Sequence, residues 1–179
     1  VERAVLEVLE TELPTDFELI VVDDGSTDGT REILRNGNWD SRVRLYEHEH
    51  NQGKGAAVQT ALTHARGEFS AIFDADLEYD PEDWPKLLAP VLRGRARVVY
   101  GSRFTGERRN MLLLHWIGNR FLSLTTNVLY NTTLSDMETC YKLLERSLIE
   151  DLHRQSNKFD IEPEITATVL KRGVRIYEV

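Results

Sequence analysis

Apolar residues along this chain recur in two rhythms that take turns. Val1, Ala4, Val5, Val8 and Leu9 fall at helical spacing, so the first dozen residues read as an amphipathic helix ending near Pro14. Leu19-Ile20-Val21-Val22 is a continuous β-branched run that stops at Asp23-Asp24-Gly25-Ser26, the pattern of a buried strand giving way to a loop. The plan repeats with a helix after Asp28, a strand over 43–46, a helix over 56–65 and a strand over 69–73 that ends on Asp74. Asp80-Pro81 pairs a cap with a first-turn proline and starts another helix, which Pro85 and Pro90 should kink or shorten. Val98-Val99-Tyr100 follows as a strand, and 111–130 is a long, unusually apolar helical candidate interrupted by His115, Asn119 and Arg120. Beyond it come a short strand over 141–144, helices from Ser147 and from Glu162, and a strand-like run over 174–179.

Strands alternating with helices predict an α/β domain with a parallel sheet, right-handed crossovers and helices on both faces. With 179 residues, 41% of them hydrophobic, one domain over 1–179 can bury a core unaided. Repeats, linkers and low-complexity tracts are absent from the sequence. The chain opens on a helix and stops inside an apolar run, so both ends read as trimmed.

The net charge of -8 argues against a polyanionic partner, and nucleic acid is set aside. One cysteine, Cys140, allows no internal disulfide, and no Cys/His spacing suits zinc, which points to a reducing, cytoplasmic compartment. No stretch reaches the roughly 18–20 apolar residues of a membrane span, and the start lacks a signal pattern. The apolar 111–130 helix has two readings: it lies on a membrane and admits a lipid tail, or it is a core helix. The core reading is preferred because buried α/β helices are equally apolar, and exposure of Trp116 would reverse that preference.

Ligands of open α/β sheets bind beyond the carboxyl ends of the strands. Asp74 and Asp76, one residue apart and followed by Glu78 and Asp80, leave such a strand and suit one hard cation, Mg2+ or Mn2+, whose charge would relieve their repulsion. The plain alternative is an acidic surface loop, and Asp80 reads as a helix cap; Asp23 and Asp28 divide evenly between structural and functional roles. Asn51-Gln52-Gly53-Lys54-Gly55 precedes a helix and could bring backbone N–H groups and a lysine to an anion, although an ordinary turn explains it as well. Arg103, Arg108 and Arg109 offer bidentate phosphate contacts or are merely solvated. Asp136 and Glu138 are candidate general bases or caps.

Taken together, 22–30, 51–55, Asp74-Ala75-Asp76, Gly101-Ser102-Arg103 and 136–142 resemble family 2 glycosyltransferases in order and spacing, closest to the dolichyl-phosphate mannose synthase and bacterial polyprenyl-phosphate branch. The resemblance runs over essentially the whole chain. It implies a GT-A, Rossmann-like three-layer sandwich with a mostly parallel sheet. It also implies an inverting transfer of a hexose from a nucleoside-diphosphate sugar, of GDP-mannose or UDP-glucose type, to a polyprenyl phosphate at the inner membrane face. On that pattern Asp23, Asp24, Gly25, Gly53, Lys54 and Asp74 serve the nucleotide, with Asp24 on the base. Asp74, Asp76 and Glu78 hold the metal, while Arg103 with Arg108 or Arg109 binds the acceptor phosphate. Catalytic weight falls on Asp136, Glu138 and Arg103. The family's usual opening strand, of the type Val-Ile-Pro-Ala-Tyr-Asn-Glu, has no counterpart here, nor do basic residues beyond the last strand.

A polyprenyl phosphate needs no base, whereas a saccharide hydroxyl needs Asp136 or Glu138 to take its proton. Two other classes share part of the pattern. A phosphoacceptor receiver domain places acids as Asp23, Asp24 and Asp74 do, but has no use for Asp76, Gly53-Lys54-Gly55 or the region after Tyr100. An aspartate-nucleophile phosphatase could use Asp74 and Asp76, but Leu77 breaks its motif.

Overall fold

The computed structural model describes residues 1–76, 79–104, 112–149 and 161–179. Helix α1 (Glu2–Glu10) turns Ala4, Val5 and Val8 inward, as its spacing dictates. Strand β1 (Leu19–Asp23) runs parallel to β2 (Val43–Glu47), with Leu19 opposite Val43 and Asp23 opposite Glu47, and α2 (Thr30–Asn36) connects them. Helix α3 (Lys54–His64) leads to β3 (Phe69–Ile72). Asp80 caps a single 3-10 turn (Pro81–Asp83) by accepting from the Glu82 N–H, as its position before a proline predicts. Helix α4 (Trp84–Leu92) continues through Pro90 and ends two residues later. After β4 (Val98–Tyr100) come α5 (Leu113–Tyr130), β5 (Lys142–Glu145), α6 (Arg146–Ile149), α7 (Ile161–Lys171) and β6 (Tyr177–Glu178).

The second sheet has the order β3-β5-β4-β6. Strands β3, β4 and β6 share one direction and β5, inserted between β3 and β4, opposes them, so its two pairings are antiparallel while β4–β6 is parallel, as β1–β2 is in the first sheet. The reason lies in the excursion after β4. The chain leaves at Tyr100 and returns at Lys142, directly opposite Tyr100, so it re-enters the sheet at the end it left and must run back. Alternation along β4 separates two cores. Val98 and Tyr100 face Leu62 of α3, Leu148 of α6 and Ile161, Ile165 and Val169 of α7. Val99, on the other face, meets Val8 of α1 and Trp84 and Leu87 of α4. Helices therefore cover the sheet on both sides.

The strands β1 and β3 do not pair with each other. A cavity of about 620 Å³ lies between them, walled by both strands and by apolar faces of α1, α3 and α4. Among the described residues, neither edge facing this cavity has a strand partner.

The expectation that α5 is a core helix is overturned. Ser123 is its only fully buried residue, and Trp116 is 40% exposed. The side turned to the protein is polar: Asn127 exchanges two hydrogen bonds with the backbone of Leu134, and the Ser123 hydroxyl accepts from the Met137 N–H. Among the described residues, no helix is long and apolar enough to cross a membrane.

Candidate active site

Three groups of polar residues gather where β1, β3 and β4 end. The first is built on β1. Gly25 adopts a positive φ of 74° and lies so close to the facing loop that a Cβ would stand 2.4 Å from the Asn51 nitrogen. This approach lets the Asp24 carboxylate accept from the N–H groups of Gln52 at 2.9 Å and Gly53 at 2.8 Å, and meet His48 Nδ1 at 2.6 Å. Burial opposes ionisation of Asp24, but the Gln52, His48 and Gly53 contacts outweigh it and hold the carboxyl below its ordinary range. The Asp23 side chain is wholly buried and bonds the Arg31 guanidinium at 2.8 Å, tying α2 to β1. Desolvation raises its pKa, but the Ser26 and Arg31 contacts bring it below the ordinary value. Asp23 thus faces α2 rather than open solvent.

Lys54, the first residue of α3, holds the second group together. Its ammonium lies 2.8 Å from Asp74 Oδ2, 2.6 Å from Glu162 Oε1 and 3.2 Å from Cys140 Sγ. Burial pulls the Lys54 pKa down, yet the bonds to Asp74 and Glu162 prevail and hold it well above the usual lysine range. Cys140 is pushed up to about 12, first by burial and then by Asp74, so its thiol is not a nucleophile near neutrality. Asp74 and Lys54 both border the cavity between β1 and β3, whereas Asp76, two residues beyond, is exposed and does not line it. Neither carboxylate of the pair is sealed beneath a helix.

Arg103 and Asp136 form the third group. The Asp136 side chain is fully buried; its two oxygens accept from Arg103 Nε at 2.8 Å and Nη2 at 2.9 Å, and the Arg103 backbone N–H adds a third bond at 3.1 Å. Burial disfavours the guanidinium charge, but Asp136 more than compensates and raises the Arg103 pKa. Glu178 on β6 fixes the loop beneath by accepting from the N–H groups of Ser135 and Asp136. The following turn is organised from inside by Lys142, which is buried and donates to the carbonyls of Met137 and Thr139, with its ammonium 4.7 Å from the centre of the Tyr100 ring. Desolvation draws Lys142 down to about 8. Glu138 has one buried oxygen, Oε1, with no hydrogen-bond partner among the described residues. Its carboxyl is raised by burial first and by the nearby Glu162 charge second. Tyr79 closes this side, accepting from the Cys140 N–H at 3.2 Å and packing its ring at a tilt of 33° against Tyr141.

Among the described residues, no three His, Cys, Asp or Glu side chains converge as a metal-binding set. Asp74 and Asp76 supply two hard oxygen donors, a number that suits Mg2+ or Mn2+ when substrate oxygens and water complete the shell. Glu78, Arg108 and Arg109 lie outside the described residues. Glu162, Glu178, His48 and Lys142 were not singled out by the sequence pattern. A lysine inside the apolar stretch Tyr141-Lys142-Leu143-Leu144 was the one local sign.

The sequence pattern described as Glycosyl transferase family 2 matches residues 1–153. Glycosyltransferase AglJ of Haloferax volcanii is 30% identical over 159 residues, which cover 88% of this chain and 50% of that protein. The UDP-N-acetylglucosamine–dolichyl-phosphate N-acetylglucosaminyltransferase of Methanococcus voltae is 29% identical over 181 residues, covering 90% of this chain and 72% of the relative. The mannosyltransferase PcManGT of Pyrobaculum calidifontis, solved in complex with GDP-Man and Mn2+, superposes with a TM-score of 0.70 at 24% identity, over 100% of this chain and 50% of that one. The chain spans about half the length of AglJ and of PcManGT. The pattern match over 1–153, the AglJ identity and a shared GT-A fold lead to one conclusion: the chain belongs to glycosyl transferase family 2.

Proposed function

We propose that this chain carries the centre of an inverting, metal-dependent hexosyltransferase that moves a sugar from a GDP-mannose or UDP-glucose type donor to a polyprenyl phosphate at the inner face of a membrane. One observation carries the reading. Two carboxylates, the partly exposed Asp74 and the exposed Asp76, stand beyond the end of β3 with the Lys54 ammonium on Asp74, while Asp136 holds the Arg103 guanidinium beyond the end of β4. Family membership supports it. So do the dolichyl-phosphate acceptor in the name of the Methanococcus relative and the GDP-Man and Mn2+ bound to PcManGT.

Asp74 and Asp76, with Glu78 as a third ligand, would hold a divalent cation, which when bound neutralises charge on the departing diphosphate. Lys54 stands at the positive end of α3, where its ammonium and the helix dipole both favour an anion. Asp24, with Gly25 and Gly53, would frame the nucleoside, and Asp23 positions that loop through Arg31. Arg103, with Arg108 or Arg109, would grip the acceptor phosphate bidentately. The acceptor oxygen is already anionic, so it attacks C1 opposite the diphosphate without losing a proton, and one displacement inverts the centre. The burial of Asp136 and the two hydrogen bonds it accepts from the Arg103 guanidinium favour this acceptor over a saccharide hydroxyl, which would need Asp136 or Glu138 as base. Family membership leaves the phosphoacceptor and phosphatase readings without support.

Calorimetric titration of GDP and UDP, with and without MnCl2, tests the donor half. Metal-dependent binding that weakens in Asp76→Ala is expected; binding indifferent to both metal and Asp76→Ala rejects the assignment. Transfer of labelled sugar to a short-chain dolichyl phosphate tests the acceptor half.

A further inference from the structure

Helix α5 is amphipathic in the inverted sense. Asn119, Ser123, Thr126, Asn127 and Tyr130 turn towards the protein, whereas Leu113, Leu114, Ile117, Phe121, Leu124 and Val128 turn away and are 70%, 80%, 49%, 66%, 61% and 75% exposed. At 100° per residue the six outward side chains fall within one arc of about 100°, and they run for about 22 Å along the helix. Most large hydrophobic residues exposed elsewhere stand singly, which needs no explanation; a continuous stripe does.

We infer that this stripe lies in the interfacial plane of an anionic lipid leaflet, with α5 parallel to the membrane. Three features select that occupant. The sequence from 108 to 135 contains no Asp or Glu but carries Arg108, Arg109 and Arg120, in a chain whose net charge is -8. Trp116 and Arg120 flank the stripe, and the Arg120 guanidinium lies 5.9 Å from the Trp116 ring and 5.7 Å from the Phe104 ring, the pairing of an amphipathic ring with a cation at the level of lipid headgroups. A second copy is a poorer partner. A stripe of six side chains presents on the order of 500 Å², below the ~800 Å² per partner of a stable pair, and self-pairing would bring cations together with no acid on either helix.

Phe104 follows Arg103 directly, so the cationic edge of the docked helix contacts the segment that carries the arginine assigned above to the acceptor phosphate. The hydrogen bonds from Ser123 and Asn127 to the backbone of Met137 and Leu134 fasten the same helix to the loop that carries Asp136. Docking would thus present the leaflet's phosphates to Arg103. This last step rests on the acceptor reading, but the docking itself does not.

The test is co-sedimentation of the full chain with phosphatidylcholine vesicles, alone or containing about a quarter phosphatidylglycerol. Binding to the anionic vesicles is expected, weakened roughly fivefold in Arg120→Glu and tenfold or more in Phe121→Glu/Leu124→Glu. These positions are exposed, so the variants should keep the parent's circular dichroism and melting temperature. A second readout, quenching of tryptophan fluorescence by brominated lipid, should disappear in Trp116→Phe. Failure to bind anionic vesicles, equal binding to neutral ones, unchanged binding in both variants, or a concentration-dependent dimer abolished by Phe121→Glu/Leu124→Glu would each overturn the inference. Nucleotide titration without lipid reports separately on the transferase reading.

Discussion

Replacing Lys54 by methionine tests whether its ammonium stands in for a metal ion at Asp74. The substitution keeps the length and apolar stem of the side chain and deletes only the charge. Asp74 and Glu162 both bond the same nitrogen, at 2.8 and 2.6 Å, so their nearer oxygens are within about 5 Å of each other. Two like charges at that separation repel by about 3 kcal/mol at an effective dielectric of ~20. The Asp74 side chain is 26% exposed, which screens roughly half of that, and two charge-assisted bonds are lost as well. The expected cost is about 2–3 kcal/mol, a fall in melting temperature of about 5–10 °C for a chain of this size. A divalent cation should reverse it. At a concentration of about 100 Kd, Mn2+ adds ~2.7 kcal/mol to the variant, while the parent gains less because its own ammonium must first leave Asp74. Asp74→Asn in the Lys54→Met background removes the repulsion, so it should restore stability and abolish the metal response. Thermal melts of the four proteins with and without MnCl2 read all of this. Equal metal-induced shifts in parent and variant, or a double variant weaker than Lys54→Met alone, would refute the reasoning.

Other substitutions probe the groups around this cluster. Glu138→Gln should stabilise the chain at neutral pH by on the order of 1 kcal/mol, because an ionised carboxylate with a buried, unpartnered oxygen is costly. Since the folded-state pKa of Glu138 is raised, that advantage should vanish in melts taken below about 4.5, where both states of the parent carry the proton. The buried Lys142, drawn to about 8 from an ordinary 10.5, binds its proton less tightly in the folded state, so stability should rise with pH from about 8 towards 10. Urea titrations should show that rise in the parent and a flatter profile in Lys142→Met. Gly25→Ala should cost about 2–4 kcal/mol through a left-handed backbone and a contact with the 50–51 backbone, whereas Gly29→Ala, also at positive φ but with nothing near its Cβ, should cost only about 1 kcal/mol in the same denaturation assay.

Much of the fold was legible because hydrophobic periodicity reports local burial faithfully. The runs beginning at Leu19, Val43, Phe69 and Val98 became β1 to β4 within a residue of the expected bounds, and Asp80-Pro81 capped as its chemistry requires. Direction was not legible. Lys142 to Glu145 reads as a buried strand whether it runs up or down, and only its re-entry opposite Tyr100 sets the antiparallel sense of β5. Pairing between distant strands was likewise invisible, which is why the cavity between β1 and β3 could be found only in three dimensions.

The site divides along the same line. Asp24, Gly25, Lys54 and Asp74 stand at strand ends or helix starts, positions that sequence pattern locates. Glu162 and Glu178 reach the centre from α7 and β6, far along the chain, and a lone glutamate at a helix start reads equally well as a dipole partner. Helix α5 shows most plainly what periodicity leaves open. Its spacing separates apolar from polar positions correctly but says nothing about which side meets the protein, and the prior that apolar faces turn inward gives the wrong answer here. The polar side wins because Asn127 and Ser123 satisfy backbone groups of the 134–137 loop that would otherwise be buried unpaired, a need that binds them at fixed geometry. The apolar stripe is then left facing outwards by construction. An inverted helix of this kind requires a partner other than water, and its acid-free, arginine-flanked edge specifies the chemistry of that partner.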